Sequence, residues 1–418
     1  MATITLESGQ LFIISGAIDS VKESWVKKNV KKEHVLSINE IRKMLGVKRY
    51  SSKDEGLKED IYFDSDKVVF DVAKRILEER LAEGQTVFLL SENLSDQMRS
   101  KWVQVAYKVH VKSTLLIFID SSTALKAKKG RPKSIPGPEF GELDKTSAYD
   151  HVLLTGEEKL KLVPKYIIPR GQAVDYIGDV HGLFDKFIEL LDELGYDTNV
   201  YPPQHREGRK ICLLGDMIDR GPDSIKMLQI SIALQKAGHY VILGNHERKM
   251  SNILRNHING KVQTVKGNGL RTLNEIKDAG LGMIEIKKFI DFIDNLPHYY
   301  IHDLKVPVAL VHAPITFFDP MSTPKSYCIY GSHKFSNENT DKVYSEAFIA
   351  KKNKYILVHG HNRKMTDEEF SISLDRGQAY GGQLAALRCE NINEESVILL
   401  DSNYNYVTQK IKELKKEV

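Results

Sequence analysis

Ala173-Val-Asp-Tyr-Ile-Gly-Asp-Val-His-Gly182 is the stretch that decides the fold of the second half of the chain. Ala173 to Ile177 reads as a short buried strand, and glycine then lets the backbone turn sharply in front of Asp179 and His181. The same order, strand then polar cluster, recurs along the sequence. Ile211 to Leu214 leads into Gly215-Asp-Met-Ile-Asp-Arg-Gly221, and Tyr240 to Leu243 into Gly244-Asn-His-Glu247. Val308 to Val311 leads into His312-Ala313, and Tyr355 to Val358 into His359-Gly-His361. Successive strands of an α/β sheet end on one edge, so the five clusters are expected to meet there.

What meets is Asp, His, Asp, Asn, His and His in that order, a set of hard and borderline ligands suited to divalent cations. Hydrolysis of a phosphate ester needs a nucleophilic water at neutral pH and neutralisation of charge on the phosphoryl group. Two cations about 3.5–4 Å apart do both when one carboxylate bridges them. Taken alone, a Gly-Asp after a strand is usually a turn, and a histidine at a strand end is usually a satisfied core residue. Five such clusters in order, each after a strand, reverse that weighting.

Gly-Asp-Val-His-Gly, Gly-Asp-Met-Ile-Asp-Arg-Gly and Gly-Asn-His-Glu resemble the signature of the phosphoprotein-phosphatase-type, calcineurin-like metallophosphoesterases, over about residues 174–400. The resemblance implies an αββα sandwich and two divalent metal ions, Mn²⁺ as the expected metal. It places Asp179, His181 and Asp216 at the first metal, and the bridging Asp216 with Asn245, His312 and His361 at the second. It makes His246 the general acid, Asp219 its orienting carboxylate and Arg220 the phosphate clamp. His205 to Lys210, Gly221-Pro-Asp-Ser224, Leu374-Asp-Arg-Gly377 and Tyr380 to Leu387 resemble, more closely, the phosphatase module of bacterial polynucleotide kinase-phosphatase. That likeness adds Asp375 to the catalytic residues. The symmetrical diadenosine tetraphosphate hydrolases share much of the pattern. Three positions depart from it: Leu243 stands where protein phosphatases carry arginine, Pro314 replaces glycine after His312-Ala313, and Ser332 replaces a glutamate in Tyr330-Gly331-Ser332.

The first part of the chain reads as a second α/β domain. Strands are expected at Leu11 to Ile14, Val87 to Leu90 and Leu115 to Ile119, with helices through Val69 to Leu77 and around Met98 to Ala106. The pattern weakens between 147 and 170, which puts the domains at 1–160 and 165–410. Gly16-Ala-Ile-Asp-Ser-Val-Lys-Glu-Ser24 resembles the phosphate loop of a polynucleotide kinase, with Gly16, Lys22 and Arg42 at nucleotide-binding positions. Val21 stands where the loop needs glycine and Glu23 where it needs Ser or Thr. Asn39 replaces the aspartate that would take the hydroxyl proton, and the arginine-rich lid shrinks to Lys128-Lys129-Gly-Arg131. Kinase activity is therefore not expected of this degenerate P-loop domain, and no ligase module is expected after the phosphatase.

Composition adds limits. The chain has 418 residues, 41% hydrophobic and 28% charged, with 60 Lys+Arg against 56 Asp+Glu. A net charge of +4 does not by itself indicate nucleic acid. Lys22 to Lys32 and Lys126 to Lys133 are locally basic, as solvated faces often are. Cys212, Cys328 and Cys389 are sparse and lack paired spacing, and no leader or membrane-length apolar run is visible, so a cytoplasmic protein is expected. The expected substrates are RNA 3′-phosphate or 2′,3′-cyclic phosphate ends, or nucleotides. The alternatives are a symmetrical diadenosine tetraphosphate hydrolase, a phosphoprotein phosphatase (disfavoured by Leu243), and a module whose first domain senses nucleotides. A separate RNA ligase and a second copy of the chain are the expected partners.

Overall fold

A computed structural model describes residues 3–15, 19–53, 56–62, 65–91, 96–111, 114–119, 150–154, 158–261, 264–332, 339–362, 368–389 and 397–400. Gly16, the lysine-rich segment at 126–133 and the basic tail at 410–416 lie outside these residues. Two compact units result: Met1–Lys165 with Pro320–Pro324, and Tyr166–Asp319 with Lys325–Val418.

The first unit is built on a five-stranded sheet in the order Val35–Ser37, Val87–Leu90, Leu11–Ser15, Thr114–Ile119, Asp150–Leu154, every pair parallel. Its strands are near-continuous apolar runs because both faces are covered. Leu11 and Ile13 pack with Leu77 and Trp102 on one face, and Phe12 and Ile14 with Trp25 and Val26 on the other. The first set comes from helices Asp66–Ala82 and Asp96–Lys108, the second from Asp19–Asn29. Ser65 starts Asp66–Ala82 by accepting from Val68 N at 3.4 Å, and Gly84 (φ 72°) follows its end. Three strands appear where the sequence pattern was weak: Asp150–Leu154, Lys159–Val163 and Ile167–Ile168. Lys159–Val163 pairs with Thr3–Glu7, and both alternate between exposed and half-buried residues, which leaves no apolar run to read.

The second unit has two five-stranded sheets, in keeping with the αββα sandwich that the resemblance implies. One runs Tyr240–Val241, Lys210–Leu213, Val174–Ile177, Ala386–Cys389, Val397–Leu400; the other runs Ile167–Ile168, Tyr299–His302, Val308–Val311, Ile356–His359, Ser371–Ser373. Val174, Tyr176, Cys212 and Leu214 from the first meet Leu310, Val358 and Leu374 from the second in one apolar layer. Helices Phe184–Glu193, Ser224–Lys236, Asn245–Ile258 and Met283–Asp294 cover the outer face of the first sheet, through Phe187, Leu228, Leu254 and Phe289. Lys325–Tyr330 and Thr340–Ile349 cover the second through Cys328 and Tyr344. The layers are thus helix, sheet, sheet, helix. Buried Asp175 ties three strands together, with Arg209 Nη2 at 2.8 Å, Arg388 Nε at 2.9 Å and Tyr196 Oη donating at 3.0 Å. No helix among the described residues is long and apolar enough to cross a membrane.

Candidate functional site

Parallel strands from both sheets end at one place in the second unit. Asp179 and His181 follow Val174–Ile177, and Asp216, Asp219 and Arg220 follow Lys210–Leu213. Asn245 and His246 open the helix Asn245–Ile258, while His312, His361 and Asp375 follow Val308–Val311, Ile356–His359 and Ser371–Ser373. The turns are tight enough to force unusual backbone. His181, Asp216, Asp219, Arg220 and His361 all have positive φ, between 47° and 68°. Such conformations cost about 1–3 kcal/mol each and persist where surrounding structure holds them, most often at functional sites. Gly360 makes close approach possible: a Cβ there would run into Asp179 Oδ1.

The histidines are aimed by their second nitrogen. His181 Nδ1 lies 3.0 Å from Ile218 O and His312 Nδ1 lies 2.9 Å from Leu214 O. Donating there fixes the tautomer and leaves each Nε2 lone pair facing the carboxylates, as a ligand requires. Asp216 sits at the centre. Its Oδ2 is 3.8 Å from His181 Nε2 and 3.7 Å from His246 Nε2, and its Oδ1 is 3.3 Å from His312 Nε2. The amide head of Asn245 lies 3.0 Å from His312 Nε2, 2.9 Å from His361 Nδ1 and 3.1–3.2 Å from both Asp216 oxygens. With its amide nitrogen inward Asn245 would donate to these acceptors, and with its oxygen inward it adds one more lone pair for a cation to satisfy.

Among the described residues, two groups of three side chains hold their ligand atoms within 4.8 Å: His181, Asp216 and His246, and Asp216, His312 and His361. Asp216 belongs to both. Asp179 stands beside the first group, 3.7 Å from His181 Nε2, with its carboxylate accepting from His361 N at 3.1 and 3.3 Å. The donor set therefore fits divalent cations, with Asp179, His181, Asp216, Asn245, His312 and His361 as the residues that would hold them. Charge points the same way. Burial opposes ionisation of Asp216, but His312, His246 and His181 outweigh it and hold its carboxyl well below the usual range. Burial likewise opposes a charge on His312, yet Asp216, Asp179 and Glu247 raise it to about 10, a pull that a cation would answer in place of the Nε2 proton. Positive charge is what this cluster of buried carboxylates lacks.

Beside the cluster, His246 Nδ1 is 2.6 Å from Asp219 Oδ2. Burial would lower the imidazole's pKa, but Asp219 and Asp216 raise it above its ordinary value, favouring a proton ready at Nε2. Two further side chains, Thr272 with no sequence signal and Ser224 from a quoted motif, hold Asp219 in turn. Thr272 Oγ1 donates to its Oδ1 at 2.5 Å, and Asp219 N donates to Ser224 Oγ at 3.1 Å. Buried Glu247 accepts from the backbone N–H groups of Asp216, Met217 and Ile218 at 2.9, 2.8 and 3.1 Å, and so shapes the turn that presents Asp216. The sequence offered Glu247 only as the last letter of a motif.

Arg220 Nη1 lies beside His181 Nε2 and its Nη2 lies 3.3 Å from His246 Nε2, both in the first group, so its guanidinium lines that side of the site. Asp375 accepts from Gly377 N at 3.0 Å, and its carboxyl is raised by burial against the pull of His312 and Arg220. Leu243 is packed in the apolar core and places no cation near the site. Ser332 Oγ accepts from Thr316 N at 3.2 Å, bracing the segment after His312. In the first unit Lys22 is buried, with Nζ donating to Ser91 O at 3.0 Å, and Arg42 pairs with Asp66 at 2.5 Å and with Asn39 Oδ1 at 3.3 Å.

Residues 174–384 match the family described as calcineurin-like phosphoesterase. A bis(5′-nucleosyl)-tetraphosphatase PrpE, designated asymmetrical, from Geobacillus thermodenitrificans is 31% identical over 54% of this chain and 93% of its own length. Its counterpart from Halalkalibacterium halodurans is 29% identical over 53% and 92%. Among solved structures, a cold-active protein tyrosine phosphatase gives a TM-score of 0.40 at 15% identity, over 58% of this chain and 79% of the other.

Proposed function

The chain belongs to the calcineurin-like phosphoesterase family, a hydrolase of phosphate esters, and on that premise we propose that it cleaves nucleotides at a site holding two divalent cations, Mn²⁺ being the expected metal. The observation that carries the reading is Asp216, shared by two ligand groups with the His246–Asp219 pair beside them. Cations bound there supply a nucleophile at neutral pH and offset phosphoryl charge. The chain's own residues do the rest. Arg220 grips the phosphate through its planar fork. As the oxygen of water joins phosphorus and the P–O bond to the leaving group breaks, His246 gives its Nε2 proton to the departing oxygen. Asp219 holds that ring in register and stabilises its charge, and Thr272 holds Asp219.

The substrate we favour is a bis(5′-nucleosyl) tetraphosphate, cleaved asymmetrically to a nucleoside monophosphate and a triphosphate. Support comes from the relatives' designation as asymmetrical, whereas the sequence motifs offered the symmetrical hydrolase as an alternative. Chromatography of the products of diadenosine tetraphosphate tests it: AMP and ATP are expected, and two ADP would overturn the asymmetrical reading.

RNA 3′-phosphate or cyclic phosphate ends are a second reading, favoured by the all-parallel sheet of the first unit with Lys22 on the helix after its central strand. In that reading the first unit is a polynucleotide-kinase-like domain without activity, because Lys22 is buried against Ser91 O. Hydrolysis of a 3′-phosphorylated oligonucleotide faster than of the dinucleotide would select it.

A further inference from the structure

We propose that Tyr380 is the surface on which the nucleobase of the substrate stacks, an inference that rests on reading the substrate as a nucleotide. Tyr380 closes the one-turn 3-10 helix Gln378–Tyr380, bracketed by Gly377 and Gly381, both left-handed. The turn is fastened to the metal-ligand strand ends. Gln378 Nε2 donates to Asp179 O, and Gly377 N donates to Asp375 Oδ1. The ring is therefore fixed relative to the phosphate clamp, and Arg220 Cζ lies 5.2 Å from its centroid, in cation–π range.

Tyr380 nonetheless remains 58% exposed, an unusual state for an aromatic ring anchored this firmly. One side chain, Arg220, thus links the phosphate position to a solvent-facing aromatic ring. A ligand whose phosphate meets Arg220 can lay a flat ring against Tyr380. Every nucleobase offers such a face, so the stacking would be tolerant of base identity.

The test is binding, not turnover. Calorimetry on the full chain with manganese compares AMP with inorganic phosphate, in the wild type, Tyr380→Ala and Tyr380→Trp. Stacking a base on an aromatic ring is worth about 5- to 150-fold in affinity. The wild type should bind AMP tighter than phosphate by a factor in that range. Tyr380→Ala should lose the margin while holding phosphate within about twofold, and Tyr380→Trp should keep it. Equal losses for both ligands, or no margin in the wild type, would overturn the proposal. So would tighter binding of O-phosphotyrosine than of AMP through the same ring. A protein that splits diadenosine tetraphosphate but shows no margin refutes Tyr380 alone; one that shows the margin but splits no dinucleotide refutes the substrate alone.

Discussion

Half-buried His246 and buried Asp219 form a pair, Nδ1 to Oδ2 at 2.6 Å, whose other carboxylate oxygen is held by Thr272. A general acid so placed matters in proportion to how poor the leaving group is. His246→Ala should lose at least ~10²-fold in kcat on diadenosine tetraphosphate. On p-nitrophenyl phosphate, whose leaving group departs without a proton, most of the loss should vanish. Thr272→Val should weaken turnover in the same leaving-group-dependent way by a smaller factor. A loss independent of leaving group would assign His246 to metal binding, as its place in one ligand group permits.

Gly360 gives a metal test that leaves every ligand in place. A methyl group there would press on Asp179 Oδ1 and displace that carboxylate from its bonds to His361 N. Gly360→Ala should fold, yet bind manganese at least ~10-fold more weakly, the usual cost of disturbing a ligand's support. The readout is the rise in melting temperature that the metal produces. An unchanged rise would mean that Asp179 does not serve the site.

Acid stability should depend on two histidines outside the site. His239, buried and near Lys210, and His302, buried with Nδ1 at 2.6 Å from Tyr176 Oη, both have pKa values lowered to about 4. The unfolded chain takes up these protons near pH 6.5, and the folded chain only near 4. Their contribution to stability is therefore complete above about pH 6.5 and drains away as pH falls toward 4. His239→Asn keeps an acceptor for Ile211 N, now met by His239 Nδ1 at 2.8 Å, without the titration. Its melting temperature should fall less than the wild type's between pH 6.5 and 4.5; parallel curves would contradict the assignment.

Lys22 should matter to stability and not to hydrolysis. Lys22→Met removes the charged donor to Ser91 O, a hydrogen bond worth about 1.5–3 kcal/mol. Denaturation should show a weaker first unit, while kcat/KM on the dinucleotide stays within twofold. A tenfold fall in kcat/KM would mean that the first unit takes part in the reaction.

Most motif residues were legible because they stand just after a strand, several beside a glycine that the turn needs, and the family resemblance then gave their expected roles. Helix positions such as Val69 and Leu77 were legible by period, and both face the first unit's core. Thr272 was not legible: it reaches Asp219 from 53 residues away and no spacing rule links them. The division of the strands between two sheets came only from the family resemblance, since Ser371–Ser373 and Ile167–Ile168 are too short to signal their partners. Tyr380 was visible only as part of a family-like run, and its relation to Arg220 needed the fold.

The most direct test of the central claim is hydrolysis of diadenosine tetraphosphate by the purified chain with manganese, alongside Asp216→Asn. If Asp216 joins two metal positions, the wild type releases AMP and ATP. The variant should then lose at least ~10²-fold, with chelation of the wild type giving the same loss. Turnover that survives both Asp216→Asn and chelation would contradict the account.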